Sequence, residues 1–249
     1  MSNASDNAVE VRRAQSGRTV ILFDARSLPQ AGPDQLDPEG WPQSQALRGR
    51  GGRGTAVLVR GEFGEGVLRH YRRGGLVGRF ITDRYLFLGE SRVRCVREFR
   101  LLVELQRRDL PVPRPLLAGW RRFGPFYRAD LLTLRIPDSE TLAERMARGG
   151  MGECLWRSVG TTIARFHRQG VYHADLNAHN VLLDADDAIW LIDFDRGALR
   201  VPSLEWQRGN LRRLRRSLEK LGGVEEGAWE TLLSGYEAAM VGAGPEDIP

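Results

Sequence analysis

Lysine is almost absent from this chain of 249 residues. Lys220 is the only lysine among 37 lysine and arginine residues, so arginine carries nearly all of the positive charge behind the formal net charge of +5. A guanidinium presents paired donors in a fixed plane, which suits phosphate and carboxylate groups. The composition therefore favours an anionic partner such as a nucleotide, a nucleic acid or a membrane surface, without choosing among them.

Cysteine, long apolar runs and a secretory signal are also scarce or missing. The two cysteines, Cys95 and Cys154, fit no metal-binding spacing, so we expect reduced, packed thiols and no structural metal. No apolar run approaches the ~18 residues that a transmembrane helix needs. The start of the chain, residues 1–10, is polar and lacks the apolar core of a signal peptide. We therefore expect a globular protein without a transmembrane segment.

One polar stretch carries the clearest chemical pattern. Asp175 precedes Asn180, and Asp193 follows an apolar run further along the chain. Between them, the apolar runs 181–183 and 188–192 are joined by an aspartate-rich turn, which predicts a β-hairpin. Because both ends of a hairpin lie at one edge, the three side chains are expected to converge. Oxygen ligands for Mg²⁺ and a carboxylate that accepts a hydroxyl proton are what phosphoryl transfer needs.

This stretch resembles the catalytic loop of protein kinases, H-R-D-x-x-x-x-N, which is followed one hairpin later by D-F-G. Here His173-Ala174-Asp175 stands for H-R-D, Asn180 has the matching offset, and Asp193-Phe194-Asp195 stands for D-F-G. The resemblance implies that Asp175 is the catalytic base and that Asn180 and Asp193 hold the metal. The alternative is a polar turn with solvated acids. The matching offsets of Asp175, Asn180 and Asp193 around the hairpin argue against that alternative.

A glycine-rich segment precedes the second predicted strand. Gly49, Gly51 and Gly54 fit G-x-G-x-x-G and lead into the β-branched run 55–59. A dinucleotide-binding loop would open a helix instead. In kinases a glycine loop lies between two strands, and its backbone approaches the phosphates of ATP. The alternative is an arginine-glycine segment that binds nucleic acid, although such segments are usually repeated and interleaved with aromatic residues.

The chain has no lysine at the strand position where protein kinases carry one. Arg69, at the end of the apolar run from residue 67, takes that place, and arginine binds phosphate with a different reach and geometry. Glu98 lies on a predicted helix, 93–108, where the kinase counterpart pairs with the lysine. We therefore predict that Arg69 and Glu98 take part in nucleotide binding, with a solvated helix charge as the alternative for Glu98.

The order of elements predicts an α+β fold with two lobes, similar to protein kinases. Residues 1–17 are expected to be disordered. Residues 18–138 are expected to form an N-lobe of antiparallel sheet and one helix, ending in a hinge, and residues 139–249 a mainly helical C-lobe with the catalytic loop. A basic amphipathic helix over 211–221 either packs its leucines in the core or contacts anionic lipid.

Three segments together, 67–75, 173–180 and 192–196, resemble the 3-deoxy-D-manno-octulosonic acid (Kdo) kinases, which act on the lipopolysaccharide core of Gram-negative bacteria. The resemblance implies an enzyme that uses ATP and Mg²⁺ to phosphorylate the 4-hydroxyl of Kdo on a Kdo-lipid A precursor. It also implies a peripheral protein at the cytoplasmic face of the inner membrane, with no nucleic acid as partner. Arg72 and Arg73 are expected to meet the acceptor's carboxylate or phosphates.

Two other interpretations stay open. Within the same class of enzyme, the acceptor is a heptose or another small sugar. In a different class, the chain is an arginine-rich module that binds nucleic acid or lipid, or a kinase fold without activity. The presence of Asp175, Asn180 and Asp193 together argues against an inactive fold.

Overall fold

The computed structural model of the protein describes residues 8–47, 56–72, 83–223 and 226–241. The chain divides into two compact units, the first formed by Met1–Arg108 with Pro113–Arg135 and the second by Asp109–Val112 with Ile136–Pro249. The described part contains a large antiparallel sheet and five α-helices, in agreement with the predicted mixture of sheet and helix. The boundary between Arg135 and Ile136 falls within the expected hinge.

The first unit consists of an antiparallel sheet and one α-helix. In chain order its elements are β1 (Val11–Ser16), β2 (Thr19–Asp24), β3 (Gln43–Ala46), β4 (Ala56–Gly61), β5 (Gly64–His70), β6 (Tyr85–Leu86), α1 (Arg94–Arg107), β7 (Pro115–Phe123) and β8 (Phe126–Leu134). The strand order is β1-β2-β7-β8-β5-β4-β3, and β6 pairs with β8.

Hydrophobic patterning explains the central elements of this unit. All residues of β2 are buried, as expected of a strand that lies between two neighbours in a sheet. The regularly spaced apolar residues of α1 are also buried, namely Val96, Phe99, Leu102, Val103 and Leu105. The helix packs on β7 and β8. One core cluster joins the strands to the loop before β3, and its fully buried members include Val59, Leu116, Leu117 and Leu132.

Two predictions about this unit are wrong. Val11–Ser16, within the segment expected to be disordered, pairs along its whole length with β2. Its side chains are mostly exposed, so the strand depends on its backbone ladder and carries no hydrophobic periodicity. β7 was not predicted, because Pro115 and Gly119 interrupt its pattern. A Cβ at Gly119 would lie 2.2 Å from Cδ2 of Leu36, so a larger residue here would have to displace the Leu36 side chain.

The second unit is mainly helical. Its elements are β9 (Glu140–Thr141), α2 (Leu142–Arg148), α3 (Glu153–Arg168), β10 (Val171–Tyr172), β11 (Val181–Leu183), β12 (Ile189–Leu191), β13 (Ala198–Leu199), α4 (Leu204–Lys220) and α5 (Ala228–Val241). β9, β11 and β12 form one small sheet, and β10 and β13 form another. Thr141 and Glu144 cap α2 with a reciprocal pair of hydrogen bonds.

The helices of this unit pack closely around a buried centre. A Cβ at Gly160 on α3 would lie 1.9 Å from the carbonyl oxygen of Leu232 on α5, so only glycine permits this approach. The basic helix α4 begins at Leu204, before the predicted start at residue 211, and its leucines Leu211, Leu214 and Leu218 are buried. These three leucines therefore pack within the protein, whereas Leu221, directly after the helix, is exposed.

Two further observations bear on the sequence predictions. Cys95 is buried as expected, whereas Cys154 is exposed because it lies in the first turn of α3, on the side that faces solvent. Among the described residues, no helix combines the length and the apolar character that crossing a membrane requires.

Candidate active site

The predicted hairpin is present in the second unit. β11 and β12 pair antiparallel with Val181 opposite Leu191, and the backbone N–H of Ile192 donates to the carbonyl of Asn180 at 3.0 Å. The ladder thus extends by one pair beyond the strands. Asn180, just before β11, and Asp193, just after Ile192, therefore stand at the same end of the hairpin.

Side-chain amides fix the backbone at Asp175. Its carbonyl oxygen accepts from Nδ2 of Asn180 at 2.8 Å and from Nδ2 of Asn177 at 3.0 Å. The side chain of Asp175 itself is exposed. A fixed backbone with an accessible carboxylate suits a group that must meet the hydroxyl of an external molecule.

His173 connects this loop to the residue before Asp193. The N–H of Asp175 donates to Nδ1 of His173 at 3.2 Å, so Nδ1 is the acceptor nitrogen of the ring. Nε2 therefore carries the proton and donates to the carbonyl of Ile192 at 2.9 Å. Burial lowers the pKa of His173, which favours this neutral ring. The imidazole thus holds the backbones on both sides of the site in one hydrogen-bonded unit.

Asp193 has an unusual backbone conformation. Its φ is +62°, in the left-handed region that costs a residue other than glycine roughly 1–2 kcal/mol. Phe194, the next residue, is fully buried and stacks on Phe166 with a ring-centre distance of 5.9 Å. The anchored Phe194 and the His173–Ile192 hydrogen bond hold Asp193 from both sides. Backbone strain that the surroundings maintain in this way is concentrated at functional sites.

The oxygen donors at this edge fit Mg²⁺ held together with a phosphate. Because Nδ2 of Asn180 is turned to the Asp175 carbonyl, Oδ1 is the atom of that side chain that can face a cation. Asp193 adds a carboxylate, and Mg²⁺ commonly takes one or two carboxylates plus waters and substrate phosphates. No group of three or more His, Cys, Asp and Glu side chains that would hold a metal by itself occurs in the described ranges.

A helix residue that sequence reasoning missed supports this loop. Asn210 on α4 is fully buried, and its Oδ1 accepts from the N–H of His173 at 3.2 Å while its Nδ2 donates to the carbonyl of His173 at 2.8 Å. The same Oδ1 lies 3.3 Å from Nε2 of His167 on α3. A buried amide inside a basic helix leaves no distinctive mark in the sequence, because its partners are distant along the chain.

The first unit contains the predicted pair of Arg69 and Glu98. Nη2 of Arg69 donates to Oε1 of Glu98 at 2.5 Å, and the Glu98 side chain is 2% exposed. The hydroxyl of Tyr71, which sequence reasoning gave no role, donates to Oε2 of Glu98 at 2.5 Å. Burial raises the pKa of Tyr71 well above its usual value, and the nearby Glu98 raises it further, so the hydroxyl keeps its proton.

The remaining predicted residues fall in two groups. Arg72 is exposed and lines a cavity of about 240 Å³ in the first unit, with His70, Arg121, Arg128 and Asp130 among its other lining residues. His70 contacts Asp130 through Nδ1 at 2.6 Å, and this hydrogen bond raises the pKa of His70. Gly49, Gly51, Gly54 and Arg73 lie outside the described residues.

Comparisons with known proteins agree with this chemistry. Residues 41–236 match the model of the lipopolysaccharide kinase (Kdo/WaaP) family. A protein of Stenotrophomonas maltophilia is 47% identical over 219 residues, which cover 88% of each chain. A protein of Xanthomonas oryzae is 46% identical over 91% of this chain and 93% of its own. A third, from Xanthomonas axonopodis, is 49% identical over 85% of this chain and 84% of its own.

All three relatives are named 3-deoxy-D-manno-octulosonic acid kinase. The matched range includes both the Arg69–Glu98 pair and the loop that carries Asp175. The protein is an enzyme of the kinase class, as the resemblance predicted. It belongs to the lipopolysaccharide kinase (Kdo/WaaP) family.

Proposed function

We propose that this protein is an ATP-dependent sugar kinase that phosphorylates the 4-hydroxyl of Kdo on a Kdo-lipid A precursor, in the synthesis of the lipopolysaccharide core. The observation that carries the proposal is the hydrogen-bonded loop in which Asn180 fixes the backbone of Asp175 and His173 fixes the carbonyl before Asp193. The names of the relatives support Kdo as the sugar.

Asp175 is the catalytic base in this proposal. The transition state of phosphoryl transfer is loose, so a base chiefly orients the acceptor hydroxyl and takes its proton late. The exposed carboxylate of Asp175 is available to such a hydroxyl, while its backbone is held by Asn177 and Asn180. Asp175 therefore positions the nucleophile without large rearrangement of the loop.

Asn180 and Asp193 are the proposed metal ligands. Mg²⁺, when bound, supplies positive charge to the phosphate oxygens that gain negative charge during transfer. The hairpin keeps the two oxygen donors at one end of its strands, and the His173–Ile192 hydrogen bond fixes the backbone immediately before Asp193. In the first unit, Arg69 is the proposed phosphate contact, with Glu98 and Tyr71 orienting its guanidinium.

The exposed arginines of α4 are proposed to attract the anionic inner-membrane surface that presents the acceptor. Arg212, Arg215 and Arg216 are exposed, whereas Leu211, Leu214 and Leu218 of this helix are buried. The contact is therefore electrostatic, with each arginine near an anionic surface contributing about 1 kcal/mol. Replacing these three arginines by glutamine should weaken binding to vesicles that contain anionic lipid, and unchanged binding would remove this part of the proposal.

The sugar acceptor is tested by direct transfer. The purified protein is incubated with ATP, Mg²⁺ and either a Kdo-bearing lipid A precursor or the same precursor without Kdo, and products are examined by mass spectrometry. We expect one added phosphate on the Kdo-bearing acceptor, located at the 4-hydroxyl by fragmentation. Phosphate added to the Kdo-free acceptor, or to a heptose acceptor in preference, would contradict the proposed substrate.

A further inference from the structure

One face of α4 follows the catalytic loop along its length. Asn210 on this helix bonds both backbone groups of His173, and Oγ of Ser217 accepts from the N–H of Ala178 at 3.1 Å. Arg213 comes three residues after Asn210 and four before Ser217, so it lies between them on the same helix face. Arg213 is therefore placed beside loop residues 174–177, the part that carries Asp175.

The environment of Arg213 differs from that of the other arginines on the helix. Arg212 and Arg216 are exposed, whereas Arg213 is half-buried. Within the part of the chain that the structure describes, its Nη1 is buried and has no hydrogen-bond partner. Burial lowers the pKa of His173, and the positive charge of Arg213 adds to that effect, which places the guanidinium close to the loop.

A buried guanidinium nitrogen without a partner is unfavourable. Losing water without gaining a hydrogen bond costs a polar group on the order of 1–3 kcal/mol, and more when the group is charged. Native proteins leave few such groups, and each calls for an explanation. The Arg213 side chain is only half-buried, so a small turn of the guanidinium would present Nη1 to an anionic ligand, which would supply the missing acceptor.

We propose that Arg213 binds the carboxylate of the sugar-acid acceptor next to Asp175, and so selects an acidic sugar over a neutral one. This inference rests on the proposed function. A guanidinium binds a carboxylate through two parallel hydrogen bonds, which fixes the orientation of the bound sugar as well as its charge. Kdo carries its carboxylate and its 4-hydroxyl on one sugar unit, which fits a guanidinium placed beside the loop that carries Asp175.

The test compares two acceptors, one that carries the carboxylate charge and one in which that charge is removed. The Kdo-bearing lipid A precursor and its carboxyl methyl ester are given to wild type, to Arg213→Gln, to Arg213→Lys and to the matched control Arg208→Gln, which changes an exposed arginine of the same helix. We expect wild type to lose about 10- to 100-fold in kcat/KM on the ester, as for the loss of a charge-assisted hydrogen bond. On the acid, kcat/KM of Arg213→Gln should be lower than that of wild type by a similar factor. Replacing the acid by the ester should lower kcat/KM of this variant little further.

The other variants separate binding from folding. Arg213→Lys should recover part of the activity on the acid, because an ammonium keeps the charge without the planar fork. Arg208→Gln should behave as wild type on both acceptors, and the KM for ATP should not change in any variant. Thermal melting shows whether a variant is folded. Should Arg213→Gln fail to fold, the comparison of Arg213→Lys with wild type on acid and ester carries the test, and equal use of acid and ester by wild type would still overturn the proposal.

Several results would overturn the inference. Equal use of the acid and the ester by wild type is one such result, and an equal loss of activity on both acceptors in Arg213→Gln is another. A phosphate of the lipid could be the true ligand, in which case the loss in Arg213→Gln would disappear on an acceptor stripped of its lipid phosphates. If wild type phosphorylates none of these acceptors, the proposed function fails, which is distinct from the case in which only the Arg213 assignment fails.

Discussion

The side-chain amide of Asn180 donates to the backbone carbonyl of Asp175 at 2.8 Å. The residue proposed to hold the metal therefore also fixes the backbone of the residue proposed as base. This contact makes the two roles interdependent, because a change at Asn180 affects the position of Asp175 as well as the metal. Asn177 makes the second hydrogen bond to the same carbonyl but is not a proposed ligand, so it offers a matched comparison.

Asn180→Asp separates the two roles of that amide. A carboxylate still offers oxygen to Mg²⁺ but cannot donate to the Asp175 carbonyl, and the facing oxygens repel. The loss of such a hydrogen bond costs about 1–3 kcal/mol, so we expect kcat to fall about 10-fold or more at saturating ATP and Mg²⁺. Asn177→Ala should lower kcat without changing the dependence on Mg²⁺ concentration. A wild-type kcat in Asn180→Asp would contradict the positioning role.

Asp193→Asn tests the metal assignment while preserving the backbone. Asparagine tolerates the left-handed conformation that Asp193 adopts at φ +62°. Removing a charged ligand should reduce turnover by several factors of ten, each factor being worth about 1.4 kcal/mol. The measurement is the rate as a function of Mg²⁺ concentration, with a melting curve to verify folding. Wild-type turnover at low Mg²⁺ would show that Asp193 does not hold the metal.

Arg69→Ala should affect both nucleotide binding and stability. The variant removes the guanidinium that pairs with the buried Glu98 carboxylate, which still accepts from the hydroxyl of Tyr71. Breaking one side of a buried ion pair costs about 3–5 kcal/mol. We expect a lower free energy of unfolding in urea and a higher KM for ATP. Arg69→Lys should restore part of each.

The double variant Arg69→Ala with Glu98→Gln distinguishes the two effects. Removing the uncompensated charge should recover part of the stability, while the KM for ATP should stay high because the guanidinium is still missing. An unchanged KM for ATP in Arg69→Ala, in Arg69→Lys and in the double variant would mean that the ion pair has only a structural role.

Buried histidines predict how stability depends on pH. Burial lowers the pKa of His167 to about 4, against about 6.5 in the unfolded chain. Between these values the unfolded state binds a proton that the native state does not, so stability is full above pH ~6.5 and falls as pH drops towards ~4. The expected loss is about 3 kcal/mol from this residue.

His167→Gln isolates that contribution. The variant should be less stable than wild type at pH 7, because it disturbs the contacts of His167 with Tyr236 and Asn210. Its urea unfolding free energy should nevertheless change less than that of wild type between pH 7 and pH 4. Parallel pH profiles for the two proteins would contradict the assignment.

The parts of the fold predicted from sequence are those whose signal is local. Two apolar runs around an aspartate-rich turn specify the hairpin of β11 and β12, and regular apolar spacing specifies α1. The resemblance of the loop around Asp175 added the roles of Asn180 and Asp193. The resemblance to kinases also suggested the pairing of Arg69 with Glu98, with a solvated helix charge as the alternative, and the structure shows the pair.

The parts that were missed depend on contacts between distant residues. β1 has exposed side chains and exists because β2 offers it a ladder. Tyr71 and Asn210 look like ordinary strand and helix residues until the fold buries them against Glu98 and His173. The arginines of α4 appear equivalent in the sequence, and only the packing of the helix against the loop distinguishes Arg213 from Arg212 and Arg216.

The most direct test of the account is phosphate transfer by Asp175→Asn. This change keeps the shape of the side chain and removes its charge, so ATP binding should be nearly normal. Transfer to the Kdo-bearing lipid A precursor should slow on the order of 10²- to 10⁴-fold, the range for loss of a general base. The measurement is the rate at which the acceptor with one added phosphate appears. Wild-type transfer by Asp175→Asn, with ATP bound normally, would contradict the assignment of Asp175 as the catalytic base.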